Sequence, residues 1–558
     1  MKNKRLLSLV VTSLLTLNLV GCASTGNEGG SENTDTPKKQ ASAANTLYAN
    51  GGPEEFFETP WLNPGVFTYN KVLYDRLILA DEKLDPIPGE GQLAKSYEMS
   101  EDGMNLKFEL RENVFWHDGE PITPQDIKWS IEYSLKTTVL NNVFANTFKA
   151  IQGATDYLDG KAEEISGIII DGNNIEIKFD KLAPDALLTF TQFAPLPQKH
   201  LKDVDPVQLQ QAPFFRNPIG SGPFKVEEVK MGNYTTLAGF DKYWDGVPSY
   251  KMHLNPSAGD SDANLVTNAK GGLLDYAYTK NIADVKALDG VEGVNVEKVD
   301  VRYTRLFFAN KFNKPDGKPA PLADKRVRQA IMYALDMDSI LDGIFEGAAI
   351  KANSLTPNGP DKVDGLNNYD FNQEKAKELL KEANWDPNTV LDVVYYYNDQ
   401  QTVDLMTIIQ NYLSQVGIKM EFRLVEGDLA TLLWSLPKDP VNGPSAVDFD
   451  LCYGATAALS MHEYYDRYQT GAALNSHTPG NKELDALIAK TNSSIDPQEK
   501  REAFFELQKY ENEELFVLPL YYQPIFVMKS DKIEGMPKEL GNPQFNYKWD
   551  VNKWKLTK

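Results

Sequence analysis

The sequence predicts an α/β protein of two or three domains. Three observations lead there. About 510 residues follow a polar N-terminal stretch, more than one hydrophobic core can organise, because cores stop growing near 250–300 residues. Beyond residue 260 helical runs alternate with apolar strands, the pattern of an α/β domain. Before residue 260 the texture is richer in hairpins and period-two strands.

The chain opens with MKNKR, carrying Lys2, Lys4 and Arg5, and then LLSLVVTSLLTLNLV, which has no charge. A basic segment and an apolar run of this length describe a secretory signal peptide over residues 1–21; a spanning helix needs roughly 20 apolar residues. Leu19-Val20-Gly21-Cys22 resembles the lipobox of bacterial lipoproteins, which implies acylation of Cys22 and a lipid-anchored protein on the extracytoplasmic face of the cell membrane. Residues 22–45 hold Ser, Thr, Gly, Asn and charge but no large apolar side chain. Such a stretch cannot offset its ordering entropy by burial and is expected to be a disordered tether. With Cys22 lipidated, Cys452 has no partner, so the fold does not rest on disulfides.

The elements then follow in order. GMNLKFELRENVFW, 103–116, alternates apolar Leu106, Phe108 and Leu110 with polar residues and predicts a half-buried strand. Asp118-Gly119 makes a turn, and Thr123-Pro124 suits the N-cap and first position of a helix carrying Ile127, Ile131 and Leu135 at helical spacing. GIIIDGNNIEIKFD, 167–180, predicts a hairpin turning at Asp171-Gly172-Asn173. NPIGSGPFKVEEVKMGNYTTLAGF predicts a second strand pair entered through a glycine turn. The run 324–345 predicts a helix, as does 374–385, while 390–398 and 418–425 predict strands. FVLPLYYQPIFVMKS, 516–530, predicts a late strand pair returning to the first domain.

The formal net charge is −22, and loss of residues 1–21 would make it −25. That argues against nucleic acid as a partner and against adsorption to anionic lipid. Hydrophobic residues make up 42% and aromatics 11%, an ordinary globular balance. GSGP at 220–223 lacks the Lys-Ser/Thr of a P-loop and a following helix, so it is a tight turn.

WHDGEPITPQDI at 116–127, preceded by LKFELRENV, resembles the signature of the bacterial extracellular solute-binding proteins of family 5, the oligopeptide- and dipeptide-binding lipoproteins of ABC importers. IGSGPFKV with FDKYWDG is similar to that family's second block. RLFFANKFN, ADKRVRQAIMYALD, KELLKEANW and VLPLYYQP resemble later blocks, in order, between about residues 46 and 530. The resemblance implies a two-lobed, hinge-type periplasmic-binding-protein fold (type II, cluster C-like) with an extra domain inserted in the N-terminal lobe. Lobe I would comprise 46–75, 186–268 and 516–558, the insert 76–185, and lobe II 269–515. It implies a monomer that captures oligopeptide in the interlobe cleft and delivers it to ABC permease subunits with their ATPases.

In the family, peptide is held mainly through its main chain, as in strand addition. Two segments would line the cleft by this resemblance: 50–65, with Gly52, Glu54 and Phe56, and 449–468, with Tyr453, Gly454, Ala455 and Thr456. The chain departs from the family where an aspartate usually pairs the peptide's amino group, having Gly454 to Leu459 instead. Glu54, Glu426 or Asp428 could substitute, or the ligand could lack a free amine. Leu429 stands where an aromatic is usual, with Trp434 as a substitute. A modified or signalling peptide, and an oligosaccharide, remain open as ligands of the same fold.

A secreted hydrolase is the competing class. The sequence has five histidines; His462-Glu463-Tyr464-Tyr465-Asp466 is superficially similar to HExxH but ends in aspartate, and no third ligand follows. No GxSxG occurs, and Cys452 reads as a packed thiol in an apolar strand. No catalytic residue, metal ligand or cofactor is assigned.

Overall fold

A computed structural model describes residues 45–257 and 263–557. The signal peptide, Cys22 and all but the last residue of the tether lie outside the described residues. Two large sheets organise the chain. The first contains β1 (Thr46–Gly52), β2 (Phe224–Lys230), β3 (Tyr234–Gly239), β4 (Lys251–Pro256), β5 (Tyr276–Thr279) and β6 (Val294–Val299). The second contains β7 (Tyr303–Ala309), β8 (Ile350–Lys351), β9 (Val390–Tyr395), β10 (Lys419–Leu424), β11 (Leu451–Ala457) and β12 (Val517–Tyr522). The chain then returns to the first sheet as β13 (Ile525–Ser530). The orders are β6-β13-β5-β1-β4-β3-β2 and β8-β12-β7-β11-β9-β10.

The chain passes between the sheets twice, through residues 300–302 and through Gln523-Pro524. At both ends of these crossings the strands run antiparallel, β6 with β13 and β7 with β12. The amide of Gln523 donates to the carbonyl of Tyr303 at 3.0 Å, tying the crossings together. Each half therefore carries its own sheet, and two short segments join them.

Sheet membership moves the expected boundaries. Residues 276–299, assigned to lobe II, pair inside the first sheet, and 517–522, assigned to lobe I, pair inside the second. The switches fall at 300–302 and 523–524. Texture could not place them, because pairing of strands hundreds of residues apart decides it. The segment 76–185 carries a four-stranded sheet, Ala94–Met99, Asn105–Leu110, Asn174–Lys178 and Ile168–Asp171. Its Phe108 meets Phe190 edge-on at 5.0 Å, and one continuous core joins it to Leu254 and Tyr276 of the first sheet.

Local chemistry explains the elements. Leu106, Phe108 and Leu110 are buried as their alternation predicts. Thr123 caps the helix Pro124–Ser134, and Asp126 reaches back to the cap's amide, completing a capping box. Gly172, at φ 58°, turns the hairpin between Ile168–Asp171 and Asn174–Lys178. The helical run 324–345 is in fact two helices, Lys325–Ala334 and Met337–Phe345. Leu335 is extended, and Asp336 caps the second helix through the Ser339 amide, so the local bond overrides the periodicity.

His117 links two of the sequence blocks. Its Nδ1 accepts from the Gly220 amide at 3.1 Å, and its Nε2–H donates to the Gly222 carbonyl at 3.0 Å. That pattern needs the neutral ring, and burial lowers its pKa to about 4. A Cβ on Gly220 would stand 1.9 Å from the Leu73 carbonyl oxygen, which is why glycine occupies this turn. Removing the ring leaves a donor and an acceptor unpaired, at about 1–3 kcal/mol each. Equilibrium denaturation of His117→Ala should show a loss of at least about 2 kcal/mol, while His200→Ala, a half-exposed surface pair with Asp118, should change little.

Candidate functional site

Two cavities flank the crossing. The larger, about 1130 Å³, opens where β9 and β11 end and β7 begins. β9 runs parallel to β10 and β11 while β7 runs antiparallel to β11; crevices at the carboxyl ends of such strands are the usual ligand sites of open α/β sheets. The smaller, about 640 Å³, lies against Arg302, Thr356–Asp361 and Lys538–Leu540. There Arg302 already pairs with Asp361 at 3.4 Å. The larger cavity is the candidate site.

The second half supplies its floor. Alternation along β7 puts Tyr303, Arg305 and Phe307 on one face. A register shift between Arg305 and Leu306 against β12 disturbs the ladder at that point; such bulges re-aim side chains near sites. Tyr453 of β11 and Tyr521 of β12 share a hydroxyl contact of 2.7 Å, and Tyr397 follows β9. The Arg305 guanidinium lies 4.1 Å from the Tyr397 ring centre, 5.3 Å from that of Tyr303 and 5.8 Å from that of Tyr453. Its Nε donates to Gln523 Oε1 at 2.7 Å, and Gln523 Nε2 donates to the Lys280 carbonyl.

The first half closes the other side with Lys280–Ala283 and Lys286. Lys280 Nζ stands 3.9 Å from the Tyr303 ring centre. Lys286 pairs with Glu346, joining the two halves over the cavity. Burial pushes the Tyr453, Tyr397 and Tyr521 phenols up, so all three are neutral near pH 7. Neutral phenols both donate and accept, which suits amide groups of a ligand. Asp399 accepts from the Thr402 amide at 2.8 Å and its hydroxyl at 2.9 Å. Among the described residues no group of three or more His, Cys, Asp or Glu could hold a metal ion.

Of the residues singled out in the sequence, Tyr453 lines this cavity. Gly454 follows it, where a Cβ would meet the Phe308 ring at 2.8 Å and the Tyr396 hydroxyl at 3.0 Å. Ala455 packs against the first half's core, and Thr456 is buried with Arg467 beside its hydroxyl. Gly52 ends β1 against the carbonyls of Leu254 and Asn255; Glu54 and Phe56 are exposed in the loop beyond it. Leu429 and Trp434 pack on the second half's core, Trp434 edge-on to Phe308 at 5.0 Å, away from the cavity lining. Arg305, Tyr397, Tyr521 and Gln523 were not anticipated. The available signal was a charged residue inside the apolar strand YTRLFFA.

The HExxH-like segment serves a different purpose. His462 Nδ1 lies 3.0 Å from Asp185 Oδ1, and Nε2 lies 3.1 Å from the Thr491 carbonyl. Both partners are acceptors, so both ring nitrogens must carry protons. Burial opposes that charge, but the Asp185 charge and hydrogen bond outweigh it and raise the histidine's pKa. Burial likewise opposes ionisation of Asp185, yet His462 brings it down to about 2. Asp466 and Lys500 are the other charges beside the ring. The pair ties the second half to the helix that begins after Asp185. Cys452 is buried and free, and burial raises its thiol pKa.

Residues 90–468 match the family described as bacterial extracellular solute-binding proteins, family 5 Middle. The chain is 25% identical to the oligopeptide-binding protein AppA of Bacillus subtilis, covering 99% of each. It is 26% identical to the oligopeptide-binding protein OppA of Lactococcus lactis subsp. cremoris, over 77% of this chain and 76% of that one. Its fold superposes on lactococcal OppA complexed with an endogenous peptide in the closed conformation with a TM-score of 0.73 at 20% identity, covering 92% of this chain and 99% of that one. The two-lobed α/β architecture is thus a known one.

The raised His462 value makes the pair's stabilisation fully present below about pH 6.5, the ordinary histidine value, and lost as pH rises through the higher folded value. The lowered Asp185 value makes it present above about pH 3.8 and lost as pH falls towards 2. Asp185→Asn should cost about 1–3 kcal/mol at pH 5.5, less than a fixed buried pair because the ring can shed its proton. Thermal melts from pH 5.5 to 8.5 should slope downward for the wild type and flatten in the variant.

Proposed function

The chain belongs to the bacterial extracellular solute-binding proteins of family 5, which act outside the cytoplasm, and from that membership we propose that it captures oligopeptides in the cavity beside the crossing and presents them to an ABC permease for import. The observation that carries the reading is the cavity itself. It lies between two separately built halves, is floored by Tyr303, Tyr397, Tyr453 and Tyr521, and is closed from the other half by Lys280–Ala283. Its volume of about 1130 Å³ exceeds the usual small-molecule range of about 300–1,000 Å³ and suits a ligand of several residues. The names of relatives aligned over nearly the whole chain support the same ligand class.

Binding would proceed by closure. An extended solute meets the tyrosine floor, the halves rotate about 300–302 and 523–524, and the closed form keeps the Lys286–Glu346 pair that this structure already holds. The permease then reads the closed form. Hinge closure of this kind draws its free energy from contacts that only the closed state makes. The chain acts as a monomer that binds without turnover, and acylation of Cys22 keeps it beside its permease.

Among the described residues, each acid that lines the cavity already has a partner. Glu346 is paired with Lys286, Asp404 accepts from Gln400, Asp399 is engaged by Thr402, and Glu54, Glu426 and Asp428 are exposed outside the cavity lining. N-acetylated peptides should therefore bind within about threefold of their free-amine counterparts in calorimetry. A penalty above about 1.4 kcal/mol, which is tenfold, would place an acid at the amine. Silence towards all peptides alongside binding of oligosaccharides would replace the peptide reading by the sugar one.

Cys22→Ser should release the protein from cells into the medium and abolish palmitate labelling. Retention of label in that variant would contradict the anchor.

A further inference from the structure

Two half-buried lysines spend their ammonium groups on oxygens of the fold. Lys311 donates to the carbonyls of Ala309 and Phe516, at 2.7 Å each. Lys362 donates to Asn358 Oδ1 at 2.8 Å and to the Tyr522 hydroxyl at 2.9 Å. Lys71, in the helix Thr68–Leu73, lies deeper and differs. It is 5% exposed, and its Nζ is buried with no hydrogen-bond partner. That nitrogen stands 4.9 Å from the Tyr547 ring centre and 4.8 Å from that of Trp549. The rings ease desolvation of a cation but take none of its hydrogen bonds. Burial and the Arg76 charge lower its pKa to about 7, and no acid offsets them.

Lys71, Tyr547 and Trp549 line a third cavity, of about 250 Å³. Its walls come from stretches 71–111, 223–245 and 546–553, so it lies within the first half and includes no residue of the crossing. Four cations and three acids line it. The acids are all taken: Glu90 by Lys548 at 2.6 Å, and Asp245 and Asp550 by Lys553 at 3.0 and 3.1 Å. That leaves Lys71 and Arg111. The Arg111 guanidinium lies 4.0 Å from the Trp244 ring centre, and its Nε and Nη2 donate to the carbonyls of Gln92 and Gly91. Among the described residues no carboxylate pairs with either cation. Two uncompensated cations on one small cavity make a local positive field in a chain whose formal net charge is −22. A buried ammonium with open donors is costly unless something meets it, and what meets this one must come through the cavity.

We propose that this cavity is a second ligand site, which holds a small tetrahedral oxyanion, free sulfate or phosphate, between Lys71 and Arg111. The ammonium offers a point charge with three donors, and the guanidinium offers a fork that matches an oxyanion's edge. The aromatic walls lower the local dielectric, which strengthens both contacts. The bound ion ties together three separate pieces of the first half: the helix Thr68–Leu73, the end of the strand Asn105–Leu110 and the C-terminal segment 546–553. The site does not depend on what the cavity at the crossing binds, so it stands or falls apart from peptide capture.

The test uses the full chain, with sulfate and phosphate as probes in solution and selenate as the heavy-atom mimic of sulfate in crystals. Calorimetry at fixed ionic strength and about pH 6, where the Lys71 ammonium keeps its proton, should give a dissociation constant below about 10 mM for at least one ion. The tighter of the two is assigned as the ligand. Lys71→Met keeps the apolar stem and removes the charge; it and Arg111→Gln should each weaken binding at least about tenfold. Arg111→Lys, which keeps charge but not the fork, should fall between. Anomalous scattering from soaked crystals should place selenate in the cavity, within hydrogen-bond reach of Lys71 Nζ and the Arg111 guanidinium. Silence towards both ions overturns the site, as does a selenate peak found only elsewhere. Unchanged affinity in Lys71→Met also overturns it. A peak in the cavity without a dissociation constant below about 10 mM means binding at crystal concentration only, and overturns it too. If Lys71→Met fails to fold, Arg111→Gln, at a half-buried position, and the wild-type peak decide.

Discussion

Everything in this protein depends on two short crossings, 300–302 and Gln523-Pro524, being the places where the chain changes sheets. Each sheet carries a core of its own, with Tyr303, Ala455 and Leu459 of the second half packed on that of the first. What lies between them is left open and polar enough to bind. The Gln523 amide bonded to the Tyr303 carbonyl fastens the crossings side by side. Rotation about that seam changes the cavity while leaving both cores intact, which is the physical condition for a hinge.

The same seam explains why the site is where it is. β7 leaves the crossing and enters the second sheet between β12 and β11, so its first residues stand at the sheet's open end beside the ends of β9 and β11. Tyr303 and Arg305 are placed there by alternation, and Tyr453 and Tyr521 by pairing with the same strand. Aromatic rings give area at small entropic cost, while Arg305 gives charge. The cavity is lined by side chains whose positions the sheet has already fixed.

Much of the architecture was legible in the sequence for local reasons. Thr123 and Asp126 announce their helix through capping chemistry, and Leu106, Phe108 and Leu110 announce their strand by period two. Resemblance in ordered blocks identified the two-lobed fold. What could not be read was anything fixed by distant pairing. Residues 276–299 look like part of the following α/β domain, yet β5 pairs with β1 and β13, some 225 and 250 residues away in sequence. The site shows the same division. Tyr453 lies in a segment the resemblance singled out, whereas Arg305 sits in a stretch that matters to the fold and comes to line the cavity only once Tyr397 and Gln523 arrive from elsewhere.

Hinged closure on a solute is the claim on which this account turns, and small-angle X-ray scattering of the protein with and without a peptide of calorimetrically verified occupancy tests it most directly. Contraction of the radius of gyration at saturation is the predicted result. An identical profile for the empty and the saturated protein would contradict it.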